Sequence, residues 1–285
     1  MANKLNIGIY EKALPLSMPI DKKIEYAYSV GYDFIELSID ETDEKIARLY
    51  DSQLQNSLEA IQKKYEKPIH SFCLSAHRKY PLGSIDVETQ EKSLEIGFKC
   101  IDLADRLDVR LIQLAGYDEY YGESTDQTRD NFLKNLKTLV KYAEEKKVVL
   151  AFETMETDFM NTVGKAKHYV DLVESPFLKI YPDIGNIRNS FDSVEETLAD
   201  LNSGSKDIVA VHVKETVPGI FRDMNFGEGR VEFKEIVSYL LNLPITHYVT
   251  EFWNHTAEYE EQVTKNFSYL DNLIRDIENE VNNNG

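Results

Sequence analysis

The stretch VVLAFET, residues 148–154, decides how this chain is read. Its five opening residues are apolar without interruption, and then comes Glu153. A half-exposed strand would alternate polar with apolar residues. A short unbroken run rich in β-branched side chains is instead a parallel strand covered by helices on its outer face. The acid at its end demands a partner, because a carboxylate withdrawn from water without compensation is strongly disfavoured.

Seven runs of the same kind recur along the chain: LNIGIY (5–10), FIELSI (34–39), IHSFCLSA (69–76), RLIQLAG (110–116), LKIYPDI (178–184), IVAVHVK (208–214) and YVTEFW (248–253). Amphipathic segments separate them. Residues 41–65 place Ile46, Leu49, Leu54, Leu58 and Ile61 near a helical period, and residues 126–146 do so with Phe132, Leu136, Leu139 and Val140. Ser124 followed by Gln127, and Ser193 followed by Glu196, read as helix-capping boxes. Eight strand–helix units predict an α/β fold, a single (β/α)8 barrel over residues 1–285 with a polar tail from 279. The alternative, an open doubly wound sheet, lacks its GxGxxG after the first strand, so no nucleotide cofactor is expected.

Composition narrows the function. A formal charge of −18 over 285 residues disfavours nucleic acid, whose phosphates demand clustered Lys and Arg. No run reaches the roughly 18 apolar residues of a membrane span, and MANKLNIGIYEK lacks the apolar heart of a signal peptide. Cys73 and Cys100 form no metal-type pair and read as packing residues in a reducing compartment. The expectation is a cytoplasmic protein without membrane or nucleic-acid partners.

In such a barrel, chemistry gathers at the carboxyl ends of the strands. The fifth strand ends at Glu153, the sixth at Asp183, the seventh carries His212 and the eighth Glu251. Four polar groups at similar depth on four neighbouring strands converge on one point. Three carboxylates there repel one another, and a divalent cation removes the conflict. Oxygen-rich ligation with one imidazole suits a fairly hard ion: manganese first, with magnesium, cobalt or zinc as alternatives. Glu36 on the second strand reads as a buried, paired acid. Lys214 and Glu215 read as groups that orient the imidazole.

The segments GIYEKALP, CLSAHRKYPLGS, AFETMETDFMN, YPDIGN, VHVKET and FGEG together resemble the L-ribulose-5-phosphate 3-epimerases of the xylose-isomerase-like barrel superfamily. The resemblance runs from the first strand to the last. It implies that Glu153, Asp183, His212 and Glu251 are the metal ligands, that the substrate is a small ketopentose phosphate, and that C3 is inverted. It also implies a homodimer. Inversion beside a ketone needs an acid/base group on each face of a planar enediolate, and these are assigned to Glu153 and Glu251. An aldose–ketose isomerase, or an epimerase of an unphosphorylated ketose, is the alternative on the same scaffold.

The substrate's phosphate calls for donors in an otherwise acidic protein. Ser75, His77, Arg78 and Lys79 follow the third strand and are expected there, with Arg222 as a further candidate. Glu156 is expected to contact substrate and Asp158 to face water. Asn186, three residues after Asp183, stands where sugar epimerases acting on unphosphorylated substrates often carry histidine, and is also placed at the site.

Overall fold

The computed structural model describes residues 5–221, 224–253 and 258–284. Eight parallel strands are present: β1 (Asn6–Tyr10), β2 (Phe34–Ile39), β3 (Ile69–Leu74), β4 (Leu111–Ala115), β5 (Val149–Glu153), β6 (Leu178–Tyr181), β7 (Val211–Val213) and β8 (His247–Thr250). Helices α1 (Ile20–Val30), α2 (Asp43–Ala47), α3 (Ser52–Lys64), α4 (Val87–Arg106) and α5 (Asp126–Lys146) cover the first half. Then follow α6 (Val163–Val173), α7 (Ile184–Asn189), α8 (Val194–Ser203), α9 (Phe233–Leu241) and α10 (Tyr259–Asn284).

Strand order is β6-β5-β4-β3-β2-β1-β8-β7, with β1 paired to both β2 and β8. Between β6 and β7 the ladder thins to isolated parallel bridges, Ile180 with Ile208 and Asp183 with His212, and these close the ring. The fold is therefore the expected barrel, with a weak seam on one side.

Strand alternation divides the interior in two. Outward residues join the large apolar core beneath the helices. Inward residues Tyr10, Phe34, Cys73, Ala151, Tyr181, Ala210 and Val249 form a smaller core inside the barrel. At its floor Phe34 stacks on His70, with ring centroids 4.4 Å apart, and His247 lies 5.4 Å from His70. Gly8 makes room for this layer, since a Cβ there would come within 2.3 Å of the Phe34 ring. Both Cys73 and Cys100 are buried free thiols. Among the described residues no helix is long and apolar enough to cross a membrane.

The local expectations need two corrections. Residues 41–65 form two helices, not one, because Asp51 accepts from the backbone N–H groups of Gln53 (2.8 Å) and Leu54 (3.1 Å) and starts α3 afresh. The cap of α5 is Thr125, reciprocally bonded to Thr128, while Ser124 donates to Asp118 instead. The polar tail is helical through Asn284. The Ser193–Glu196 box forms as expected.

Candidate active site

Alternation on the strands carries polar groups inward to one end of the barrel. Glu153 ends β5, Asp183 follows β6 and caps α7, His212 lies on β7, and Glu251 follows β8. One potential ligand atom from each lies within 4.8 Å of all the others, and all four side chains are buried. His212 Nδ1 lies 2.7 Å from Glu251 Oε2 and 3.5 Å from Glu153 Oε1. Lys214 Nζ lies 2.5 Å from Asp183 Oδ2 and 3.7 Å from Glu251 Oε2. Lys214 thus neutralises carboxylates and does not orient the imidazole.

The electrostatics are those of a crowded acidic centre. Burial, joined by repulsion from Glu251, raises the Glu153 carboxyl above its ordinary range. Burial also raises Asp183, to about 8, with Glu251 and Glu153 adding to the effect against the pull of Lys214. Burial acts on Glu251 in the same direction, but Lys214 and His212 outweigh it and hold that carboxyl well below normal. Three carboxylates and one imidazole nitrogen facing one small volume, two of the acids resisting ionisation, is a donor set that fits a divalent cation.

The cavity above this quartet is lined by Tyr10, Lys12, Ser75, Arg78, Glu156 and Asn186, walled by Met155, Phe221 and Trp253. A wider cavity lies between the loops preceding α5 and α6, but its Lys165 is paired with Asp158 and the quartet does not reach it. The narrower cavity is therefore the candidate site.

Two of the cations lining it converge on one acid. Lys12 pairs with Asp40 and its ammonium lies 4.2 Å from the Trp253 ring centre. Arg78 Nη1 lies 3.5 Å from Asp40 Oδ1 and 3.6 Å from Glu41 Oε1, and the guanidinium stacks 4.9 Å above Tyr120. Arg78 Nε is buried and has no hydrogen-bond partner among the described residues. Ser75 Oγ donates to Asp40 Oδ1 at 3.0 Å. Glu156 accepts from Tyr120 at 3.2 Å. The Asn186 amide donates to Thr154 O at 2.9 Å, and its own oxygen is buried beside the cavity with no partner among the described residues.

The structure does not bring His77 or Lys79 to this cavity. His77 is buried beneath α4, where its Nε2–H donates to Ser93 O at 3.2 Å, and burial lowers its pKa to about 4. Lys79 points outward to Asp43 at 3.1 Å. Residues Ala76–Arg78 form a 3-10 turn, whose tight winding sends neighbouring side chains to different sides. Arg222 lies outside the described residues. Asp158 is exposed, as expected. Glu215 faces away from the imidazole and accepts from Gly227 N at 2.8 Å and Val231 N at 3.1 Å, pinning the FGEG turn. Gly229 permits that contact, since a Cβ there would lie 2.4 Å from Glu215 Oε1.

Lys12 was not among the expected contacts, although reading the end of β1 by the rule used for the later strands would have exposed it. It follows Glu11, which is buried among Lys23, Lys45 and Arg48 and so fixes the turn bearing Lys12.

Residues 24–273 match the family model described as xylose isomerase-like TIM barrel. An L-ribulose-5-phosphate 3-epimerase, UlaE, of Escherichia coli O139:H28 is 40% identical over 261 residues, covering 90% of each chain. Among solved structures, a D-allulose 3-epimerase from Methylomonas sp. superposes with a TM-score of 0.77 at 18% identity, over 94% of this chain and 97% of that one. An L-ribulose 3-epimerase superposes with a TM-score of 0.78 at 14% identity, over 98% and 97%. At such identities these structures bear on the fold alone, whereas the match to the bacterial epimerase is one of sequence along nearly the whole barrel. The chain belongs to the xylose isomerase-like TIM-barrel family, in its L-ribulose-5-phosphate 3-epimerase branch.

Proposed function

We propose that this protein is an isomerase that interconverts L-ribulose 5-phosphate and L-xylulose 5-phosphate by inverting C3. The observation that carries the reading is one buried cavity lined both by two carboxylates, Glu153 and Glu251, and by two cations, Lys12 and Arg78. Glu153, Asp183, His212 and Glu251 would hold a divalent ion, for which Mn2+ is the first choice. Bound there, the ion supplies Lewis acidity that makes the proton beside the ketone easier to remove.

The chain's own groups do the rest. One of Glu153 and Glu251 takes the C3 proton and the other returns one to the opposite face, so that the configuration inverts through an enediolate. Arg78 presents its unpartnered Nε–H, and Lys12 its charge, to the phosphate. The Asn186 amide oxygen accepts from a sugar hydroxyl. Met155, Phe221 and Trp253 exclude water from the intermediate.

The test is a C3-epimerisation assay with L-ribulose 5-phosphate, with and without chelator, beside the unphosphorylated sugar. Chelator-sensitive turnover that prefers the phosphorylated sugar supports the reading. In deuterated water the label should appear at C3; label at C1 would reassign the protein as an aldose–ketose isomerase.

A further inference from the structure

Glu36, on β2, is wholly buried and has no part in the proton transfers. Its Oε2 accepts from Ser71 Oγ at 2.6 Å and from Tyr181 OH at 2.9 Å, so β3 beside it and β6 across the barrel lock the carboxylate in place. Its Oε1 lies 2.6 Å from His212 Nε2. The other ring nitrogen, Nδ1, is the one that faces Glu251 and Glu153. The Gln113 amide nitrogen lies 3.1 Å from both ring nitrogens and cannot tell them apart. Apart from the acids of the proposed ligand set on Nδ1, Glu36 is the carboxylate that touches the ring, and it touches Nε2 alone.

A neutral imidazole carries one proton, and the nitrogen holding it cannot bind a metal. Metal-ligating histidines commonly donate their other N–H to a carboxylate, which fixes the tautomer and the ring orientation. We infer that Glu36 is a positioning residue: it holds the proton of His212 on Nε2, so that Nδ1 presents its lone pair to the cation. The inference rests on the metal reading proposed above. Tyr10 and Tyr181 pack against the same ring, at centroid distances of 5.8 and 5.0 Å, and confine its plane.

The test uses the full-length Glu36→Gln variant, which keeps the volume and removes the charge. Its Mn2+ affinity, measured by calorimetric titration of metal-free protein, should fall about 10- to 100-fold. The visible absorption of the Co2+-loaded protein should change as well. A variant with wild-type Mn2+ affinity and a wild-type Co2+ spectrum overturns the inference, even if its metal-free form melts earlier, because a purely structural ion pair would do only that. Should Glu36→Gln fail to fold, Tyr181→Phe strips one donor from Glu36 and should weaken Mn2+ several-fold; unchanged affinity there overturns the inference equally. A wild-type protein that binds no Mn2+ would instead sink the metal reading itself.

Discussion

Glu153 and Glu251 differ in electrostatic setting although both are buried and both face His212 Nδ1. Glu153 is pushed up by burial, and Glu251 is held down by Lys214 and His212. Replacing either with Gln should lower kcat by about 10²- to 10⁴-fold while the protein stays folded, as steady-state turnover and circular dichroism would show. Near-normal turnover in either variant would remove the two-base assignment. In the same cavity, Lys12→Ala or Arg78→Ala should raise KM for the phosphorylated sugar by about 10- to 100-fold, the worth of a charged hydrogen bond, and leave KM for the free sugar nearly unchanged. The buried quartet was legible in sequence because each member sits at a strand's carboxyl end, where the barrel itself dictates convergence. Lys12 was harder to see, since its setting depends on Trp253, which arrives from the far end of the chain. His77 was misplaced because a 3-10 turn separates it from Arg78, a rotation that no spacing rule reveals.

At the scale of elements, the site depends on where helices stop and start. The break between α2 and α3 lets Lys45 and Arg48 reach Glu11 while α3 packs separately. Asp51→Ala removes the cap of α3 and should cost about 0.5–2 kcal/mol. Thermal denaturation should show a lower Tm with kcat unchanged, because Asp51 is exposed and lines no part of the cavity. Apolar periodicity ran straight through residues 41–65, so the sequence concealed this break; Asp51 followed by Ser52 was its only sign. The strands, by contrast, were found nearly in full, because each is covered on both sides and reads as a continuous apolar run.

The whole barrel has one end that gathers polar groups and a floor that only packs. On the floor, burial and the nearby His247 lower the His70 pKa to about 4, and burial lowers His247 itself. Unfolded, both would take up protons near pH 6.5. Between there and about pH 4 the unfolded chain binds more protons at these positions, so their contribution to stability falls as the solution is acidified. Metal-saturated protein should therefore lose Tm across that window, and a His70→Gln variant should lose less; parallel profiles would exclude the histidine floor as the cause. The seam between β6 and β7 has a different consequence. Asp183 and His212 stand on opposite sides of it, joined by one bridge, and both belong to the proposed ligand set. An ion held by both would rivet the barrel shut at its thinnest point, coupling cofactor retention to mechanical integrity of the ring. Hydrogen exchange would reveal this as local breathing: on chelation the amides of Ile180, Val209 and His212, which bond across the seam, should exchange faster, while those of the β2–β3 ladder keep their protection.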